Sequence, residues 1–276
     1  MKGPATLLLE RRRRQFAGYL RSLVSLARRK DLVFFPELVE RPEGRRGLVL
    51  SPHCDDDVIG LGGLLHRLAR DRDSLTILYF AGTSISEGEG AGGIGARRRE
   101  EAQRATAILG IEGPDLVFLD QPDGGLCPSP ELIDRLVRIL AEKSPEVVYL
   151  PWFLENHVDH VAVNAVFGEA WGRWRSLCTV YAYEVWTPLF PNRIVDITQD
   201  VEIKKKALSQ YASQLDRVDY VGTTLALNRY RSVTNLKGRG FAEAFLCLGV
   251  REYLNLFSRW FRDPFIQHLF GSRRSP

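Results

Sequence analysis

From Gly47 onward, short apolar runs rich in β-branched residues alternate with longer segments whose apolar side chains recur at i, i+3 and i+4. This rhythm leaves few folds open, because strands separated by helices cannot pair as hairpins and instead lie parallel, flanked by the helices. Strands are expected at 47–51, 75–80, 116–119, 147–151, 180–185 and 194–197, and helices at 58–69, 97–109, 130–142 and 158–174. The fold class is therefore α/β, a mostly parallel sheet with helices on its faces.

Other bulk features agree with one such body. With 276 residues, 45% of them hydrophobic and 26% charged, the chain has the balance of an ordinary globular protein with a sizeable core. No Pro/Ser-rich linker, repeat or low-complexity tract divides it, so one domain is expected over 47–276, ending in a helical segment, with 1–46 as an N-terminal helical extension. The net charge of +4 gathers near the ends, at 11–14, 28–30 and 273–274. Lacking interleaved aromatics or a recognition motif, these clusters read as solvated faces, and no nucleic-acid partner is expected. Cys54, Cys127, Cys178 and Cys247 are widely spaced with no CxxC pair, which argues against disulfides and thiolate metal sites and fits a reducing cytoplasm. No secretory h-region opens the chain, and no stretch approaches the roughly 18 to 20 apolar residues that span a bilayer. Residues 7–35 mix arginines with Leu, Val and Phe at near-helical spacing; packing on the protein itself or a partner subunit is expected, with peripheral membrane contact as the alternative.

Ligands of open parallel sheets bind beyond the carboxyl ends of the strands. Two histidine clusters fall there: PHCDDD at 52–57 follows the first strand, and ENHVDH at 155–160 follows VVYLPW. A catalytic zinc site takes three imidazole and carboxylate ligands and leaves a fourth position to water, and His53, Asp56 and His160 can supply that set, with Asp55 placed to act on the water. Carboxyl groups buried side by side also need a cation or proton to compensate them. The plainer reading of the Asp run is an N-cap cluster accepting helix amide protons, and HVDH alone reads as a loop with one satisfied histidine. Three of the five histidines at two equivalent strand-to-helix junctions favour the metal.

PHCDDDVIGLGG resembles the signature PHPDDExxGxGG of the LmbE-like or PIG-L family of zinc-dependent deacetylases, and HVDH is similar to its HxDH signature. RRREEAQRATAILG resembles the family's RxxE helix, FLDQPDGGL its next loop, and KKKALSQYASQ and AEAF its carboxy-terminal segments, so the likeness runs in order from about 47 to 245. The resemblance implies a Rossmann-like fold and hydrolysis of the acetamide of an N-acetylglucosamine-type conjugate. It also implies Zn2+, with Fe2+ as the alternative, on His53, Asp56 and His160. By the same carry-over Asp55 is the general base, protonated His157 stabilises the transition state, Asp159 orients His157, and Arg98 and Asp123 contact the sugar. The run of arginines leaves the choice among Arg97, Arg98 and Arg99 open. Cys54 stands where the family has proline and Asp57 where it has glutamate; a small buried residue and altered support of the ligands are the expected consequences.

The remaining motifs read more plainly. Gly60, Gly62 and Gly63 lack the order of a dinucleotide loop and fit close packing of the first helix on the sheet. The glycine-rich stretch 87–95 is expected to be a surface loop, with a substrate-gating lid as the sharper alternative. Trp152 and Trp186 are the pocket candidates, Trp171 and Trp174 belong to the interior, and His66 and His268 are not metal ligands. Rival functions are a zinc amidase of an acylated antibiotic or lipid-linked sugar and a non-catalytic sugar-binding protein; a full set of implied ligands and base argues against the last. A homo-oligomer is compatible with everything read here.

Overall fold

The computed structural model describes residues 35–82 and 93–261. The extension up to residue 34, the terminal basic clusters, His268 and most of the proposed lid lie outside the described residues. By internal contacts the chain comprises a large unit, Phe35–Leu248, and a second formed by Met1–Phe34 with Gly249–Pro276.

One eight-stranded sheet organises the large unit. Its strands are β1 (Glu37–Val39), β2 (Arg46–Ser51), β3 (Ser74–Ala81), β4 (Leu116–Gln121), β5 (Val147–Pro151), β6 (Thr179–Tyr183), β7 (Arg193–Asp196) and β8 (Ala242–Gly249). They lie in the order β1-β7-β8-β6-β5-β2-β3-β4. β1/β7, β2/β3, β2/β5, β3/β4 and β5/β6 pair in parallel and β7/β8 antiparallel, so the sheet is mostly parallel as expected. β1 and β8 were not expected as strands. β1 is only three residues long, and β8 carries Glu243 inside its apolar run, which hides the pattern.

The helices are α1 (Asp56–Arg70), α2 (Ile94–Leu109), α3 (Pro130–Lys143), α4 (Val158–Trp174), α5 (Val201–Leu208), α6 (Ala212–Leu215), α7 (Tyr220–Leu236) and, in the second unit, α8 (Val250–Phe261). In α8 the buried residues Val250, Tyr253, Leu256 and Phe257 recur at helical spacing. Among the described residues no helix is long and apolar enough to cross a membrane.

The core of the large unit is the interior of this sheet and the helices on it: Val49, Ile77 and Tyr149 from the strands meet Leu64, Leu68 and Ala105 from α1 and α2. At about 1.5–3 kcal/mol for each large apolar side chain removed from water, this packing anchors the strand ends. α1 presses so close that a Cβ at Gly60 would lie 2.3 Å from Tyr183 Cδ2, and one at Gly63 would lie 2.7 Å from Ile197. Here glycine serves close approach, as its spacing suggested.

After β2 the chain runs outward through β3 and β4, then returns to place β5 on the other side of β2. Loops leaving β2 and β5 therefore diverge above a crevice, the place where doubly wound sheets bind ligands. Both histidine clusters begin on those loops and run into the first turns of α1 and α4.

Candidate active site

The turn after β2 is shaped by Ser51, whose Oγ donates to His53 O at 2.6 Å and accepts the Asp57 N–H at 3.1 Å. That second bond satisfies an amide of the first turn of α1. Asp55 occupies the N-cap position but makes no side-chain cap bond. The N-cap reading of the Asp run therefore fails for Asp55.

Asp56 instead gathers the histidines. Its Oδ2 accepts the His53 N–H at 2.9 Å and lies 3.1 Å from His53 Nδ1 and 3.2 Å from His160 Nε2. His160 comes from α4, more than a hundred residues along the chain, yet its ring centroid is 5.5 Å from that of His53. His157 completes a triangle, 4.7 Å from His53 and 5.0 Å from His160. Ligand nitrogens of the three imidazoles lie within 4.8 Å of one another, as do donor atoms of His53, Asp123 and Asp159.

His160 is fully buried, and neither ring nitrogen has a well-directed hydrogen-bond partner among the described residues. Buried imidazole nitrogens normally find one. Tetrahedral donors about 2.1 Å from a zinc ion sit about 3.4 Å apart, close to the spacings around Asp56 Oδ2. Each of the two histidines also turns its other nitrogen to a carboxylate: His53 Nε2 is 3.1 Å from Asp159 Oδ2, and His160 Nδ1 is 3.6 Å from Glu155 Oε2. Carboxylate support of this kind orients metal-bound histidines. Imidazoles and carboxylates gathered in this way are donors of the kind a divalent ion takes, the mutually close sets being His53, His157 and His160 and His53, Asp123 and Asp159.

Electrostatics separates the acidic side chains. Burial, reinforced by Asp56, lifts the Asp55 carboxyl well above its usual range. Burial would also raise Asp56, but His160 and His53 outweigh it and hold that carboxyl ionised. Asp57, fully buried with its Oδ2 accepting from Tyr79 Oη at 2.8 Å, is pushed by burial up to about 8. His160 is raised to about 9, since Asp56 and Glu155 overcome the cost of burying its charge. Without a cation, a proton compensates the cluster. Cys54 is buried, and burial followed by Asp55 raises its thiol, consistent with a small core residue.

His157 is the N-cap of α4, and its Nδ1 accepts the Asp159 N–H at 3.2 Å. This places the neutral ring's proton on Nε2. One detail differs from the resemblance. Asp159 meets His157 through its backbone, while its carboxylate takes the amides of Gly124 at 2.7 Å and Leu126 at 3.1 Å and faces His53. Burial, then the charges of His53 and His160, lower the His157 pKa.

Of the three arginines, Arg98 faces the site: its Nη1 donates to Asp123 Oδ2 at 2.8 Å, and Asp123 Oδ1 is 3.3 Å from His53 Nε2. Arg97 pairs with Glu101 and Arg99 with Asp120. Gln214, with its amide oxygen toward the guanidinium, accepts from Arg98 Nε at 2.8 Å. Gly82 lies against Arg98 with φ +81, where a Cβ would come within 3.1 Å of Nη1. Two residues here escaped the sequence reading. Gln214 stood inside the quoted YASQ segment, and Glu155 stood at the head of ENHVDH; Glu155 accepts the amides of Val185 at 2.7 Å, Trp186 and Thr187. Among the tryptophans, Trp152 is buried with Nε1 donating to Thr187 O, Trp186 is open, and Trp171 and Trp174 are only half-buried.

Comparison with known proteins adds to this geometry. Residues 48–171 match the PIG-L family, described as GlcNAc-PI de-N-acetylase. The diacetylchitobiose deacetylase of Thermococcus kodakarensis is 28% identical over 189 residues, 62% of this chain and 70% of that protein. The structure of N,N'-diacetylchitobiose deacetylase from Pyrococcus horikoshii superposes with a TM-score of 0.63 at 21% identity, covering 83% of this chain and 92% of that one. GalB, a 4-carboxy-2-hydroxymuconate hydratase from a Pseudomonas putida strain, has a TM-score of 0.59 at 23% identity, covering 73% and 95%. The last two show the fold alone, and a shared fold does not name a reaction. The chain carries a PIG-L (LmbE-like) family domain, matched over residues 48–171.

Proposed function

We propose that the protein is a zinc-dependent N-deacetylase that hydrolyses the acetamide of an N-acetylglucosamine-type sugar conjugate. The family domain and a relative named as a deacetylase make an N-deacetylase hydrolase the enzyme class. One observation carries the rest: two chain-distant imidazoles meet at a single Asp56 oxygen, beside a buried carboxyl of Asp55 that no helix amide claims.

In this reading His53, Asp56 and His160 hold the ion. Zinc at such a site supplies a Lewis acid and lowers the pKa of its water toward about 7. Asp55, with its raised proton affinity, takes the proton from the attacking water and returns it to the departing amine. His157 donates its Nε2–H to the acetamide oxygen as charge builds there, an interaction stronger in the transition state than in the ground state. Arg98, held by Asp123 and Gln214, offers its remaining N–H groups to sugar hydroxyls.

The test is metal content together with acetate release from a panel of N-acetylglucosamine conjugates, with acylated antibiotics and lipid-linked sugars alongside. About one zinc per chain and release from the sugar conjugates is the expected outcome. Bound zinc with no acetate released from any amino sugar sinks the reading.

A further inference from the structure

Glu101 is fully buried in α2, yet neither the metal cluster nor the proposed reaction uses it. A carboxylate withdrawn from water needs strong partners, and among the described residues most of its bonds come from Ser213. Ser213 donates its backbone N–H to Oε1 at 2.9 Å and its hydroxyl to Oε2 at 2.5 Å, while Arg97 Nε reaches Oε1 at 3.2 Å.

Ser213 belongs to α6, a single turn of 4 residues. A helix that short does not hold its own shape, so its place is set by what grips it. Tyr211, its N-cap residue, is sunk in the core cluster that holds Ala102 and Ala105 of α2, and Glu101 takes both donors of Ser213. The next residue is Gln214. With its amide oxygen toward Arg98, it accepts from Nε at 2.8 Å and Nη2 at 3.2 Å.

Arg98 and Glu101 lie at i and i+3 on α2 and so share a face of that helix. The bonds therefore close a circuit. Glu101 holds Ser213, Ser213 carries Gln214, and Gln214 joins Asp123, 2.8 Å from Nη1, in fixing the plane of the guanidinium. A free arginine spreads over many rotamers, and a side chain fixed in advance spares that loss when a ligand binds.

We infer that Glu101 and Ser213 are positioning residues for Arg98: they dock α6 so that Gln214 holds the guanidinium in one orientation. The inference rests on the deacetylase reading only for what Arg98 then binds, the amino sugar.

Two readouts on the zinc-loaded full chain test it. Nitrogen-15 NMR follows the Arg98 Nε–H, assigned by its loss in Arg98→Lys. Pairing with Gln214 should slow its exchange with water, and Ser213→Ala and Gln214→Leu should each speed that exchange by at least about tenfold. In acetate release from an N-acetylglucosamine conjugate, Ser213→Ala should raise KM by about three- to tenfold and change kcat by less than about twofold. In an Arg98→Ala background the same substitution should leave KM within about 1.5-fold, because the residue through which it acts is gone. Glu101→Gln, which keeps an oxygen for the Ser213 N–H, should bring KM to within about threefold of the unmodified chain, unlike Glu101→Ala. Should Glu101→Ala fail to fold, half-buried Ser213→Ala still decides. Unchanged exchange at Arg98 in Ser213→Ala, or a KM rise that persists in full without Arg98, overturns the inference. If acetate is released and exchange is unchanged, the positioning alone falls. If no conjugate releases acetate, the reaction reading falls, and the exchange measurement decides the positioning by itself.

Discussion

Asp55, Asp56 and Asp57 are the same side chain three times over, and their neighbours give each a different proton affinity. Asp56 lies against two imidazoles and stays ionised, whereas burial raises Asp55 and Asp57. Asp55→Asn is expected to leave zinc content near one per chain while lowering kcat by about 10²- to 10⁴-fold, the range of lost general acid–base catalysis. His160→Ala should lose the metal, since Asp56 and His53 alone leave the coordination short. Metal analysis beside an acetate assay reads both, and full activity in a zinc-free His160→Ala protein would falsify the ligand assignment. His157→Ala should cost about 10²- to 10³-fold in kcat with little change in KM, as for loss of an oxyanion donor. A comparable rise in KM would instead make His157 a ground-state contact.

At the scale of elements, α1 is two helices joined at a break. Leu61 adopts φ −145 and ψ 22, which frees backbone groups in the middle of the helix. The Glu243 carboxylate, arriving from β8, accepts from Gly63 N at 2.8 Å and Leu64 N at 2.9 Å and so caps the second half. Lys204 of α5 neutralises Glu243 at 2.7 Å and donates to Ile59 O at 2.9 Å, capping the first half. Both charges are fully buried, and burial lowers the Lys204 pKa despite Glu243. Removing one partner strands the other, so Glu243→Ala is expected to destabilise the protein by about 3–5 kcal/mol in urea unfolding. Combining Glu243→Gln with Lys204→Met should cost clearly less, because no lone charge remains. If the double variant is no better than Glu243→Ala, the pair is not what holds the break.

For the whole molecule, the sheet reverses direction of growth beside β2, and the segments that follow β2 and β5 carry the clustered carboxyls and imidazoles. Stability of the metal-free protein should therefore depend on pH. Asp57 holds its proton up to about pH 8 when folded but releases it above about 3.9 when unfolded. The folded state binds more protons in that window, so the contribution is full below about pH 3.9 and is lost as pH rises through 8, at no more than about 1.4 kcal/mol per unit. His160, raised to about 9, acts in the same direction above its ordinary 6.5. Melting of chelator-treated protein should thus fall from pH 5.5 to 8, with a shallower slope in Asp57→Asn. Zinc should oppose the trend, because its ligands bind deprotonated. A melting temperature that rises with pH in the metal-free protein contradicts this account.

Much of this protein could be read from residue order, for a physical reason. Helical and extended periodicity are local, so the parallel sheet and the helices around it were legible in runs such as 47–51 and 158–174. The turns carrying His53, Asp55, Asp56, His157 and His160 were legible too, because strand-to-helix junctions fall where such sheets bind ligands. What stayed hidden depends on who meets whom across long stretches of chain. Asp159 turns its carboxylate to His53 rather than His157, Trp152 is enclosed while Trp186 is open, and Glu155, Gln214 and Glu243 each find partners that no spacing announces. β1 and β8 count as strands only because neighbours pair with them. A side chain's type and period are properties of its own segment, but its hydrogen-bond partner, burial and proton affinity are set by whichever distant segments pack around it.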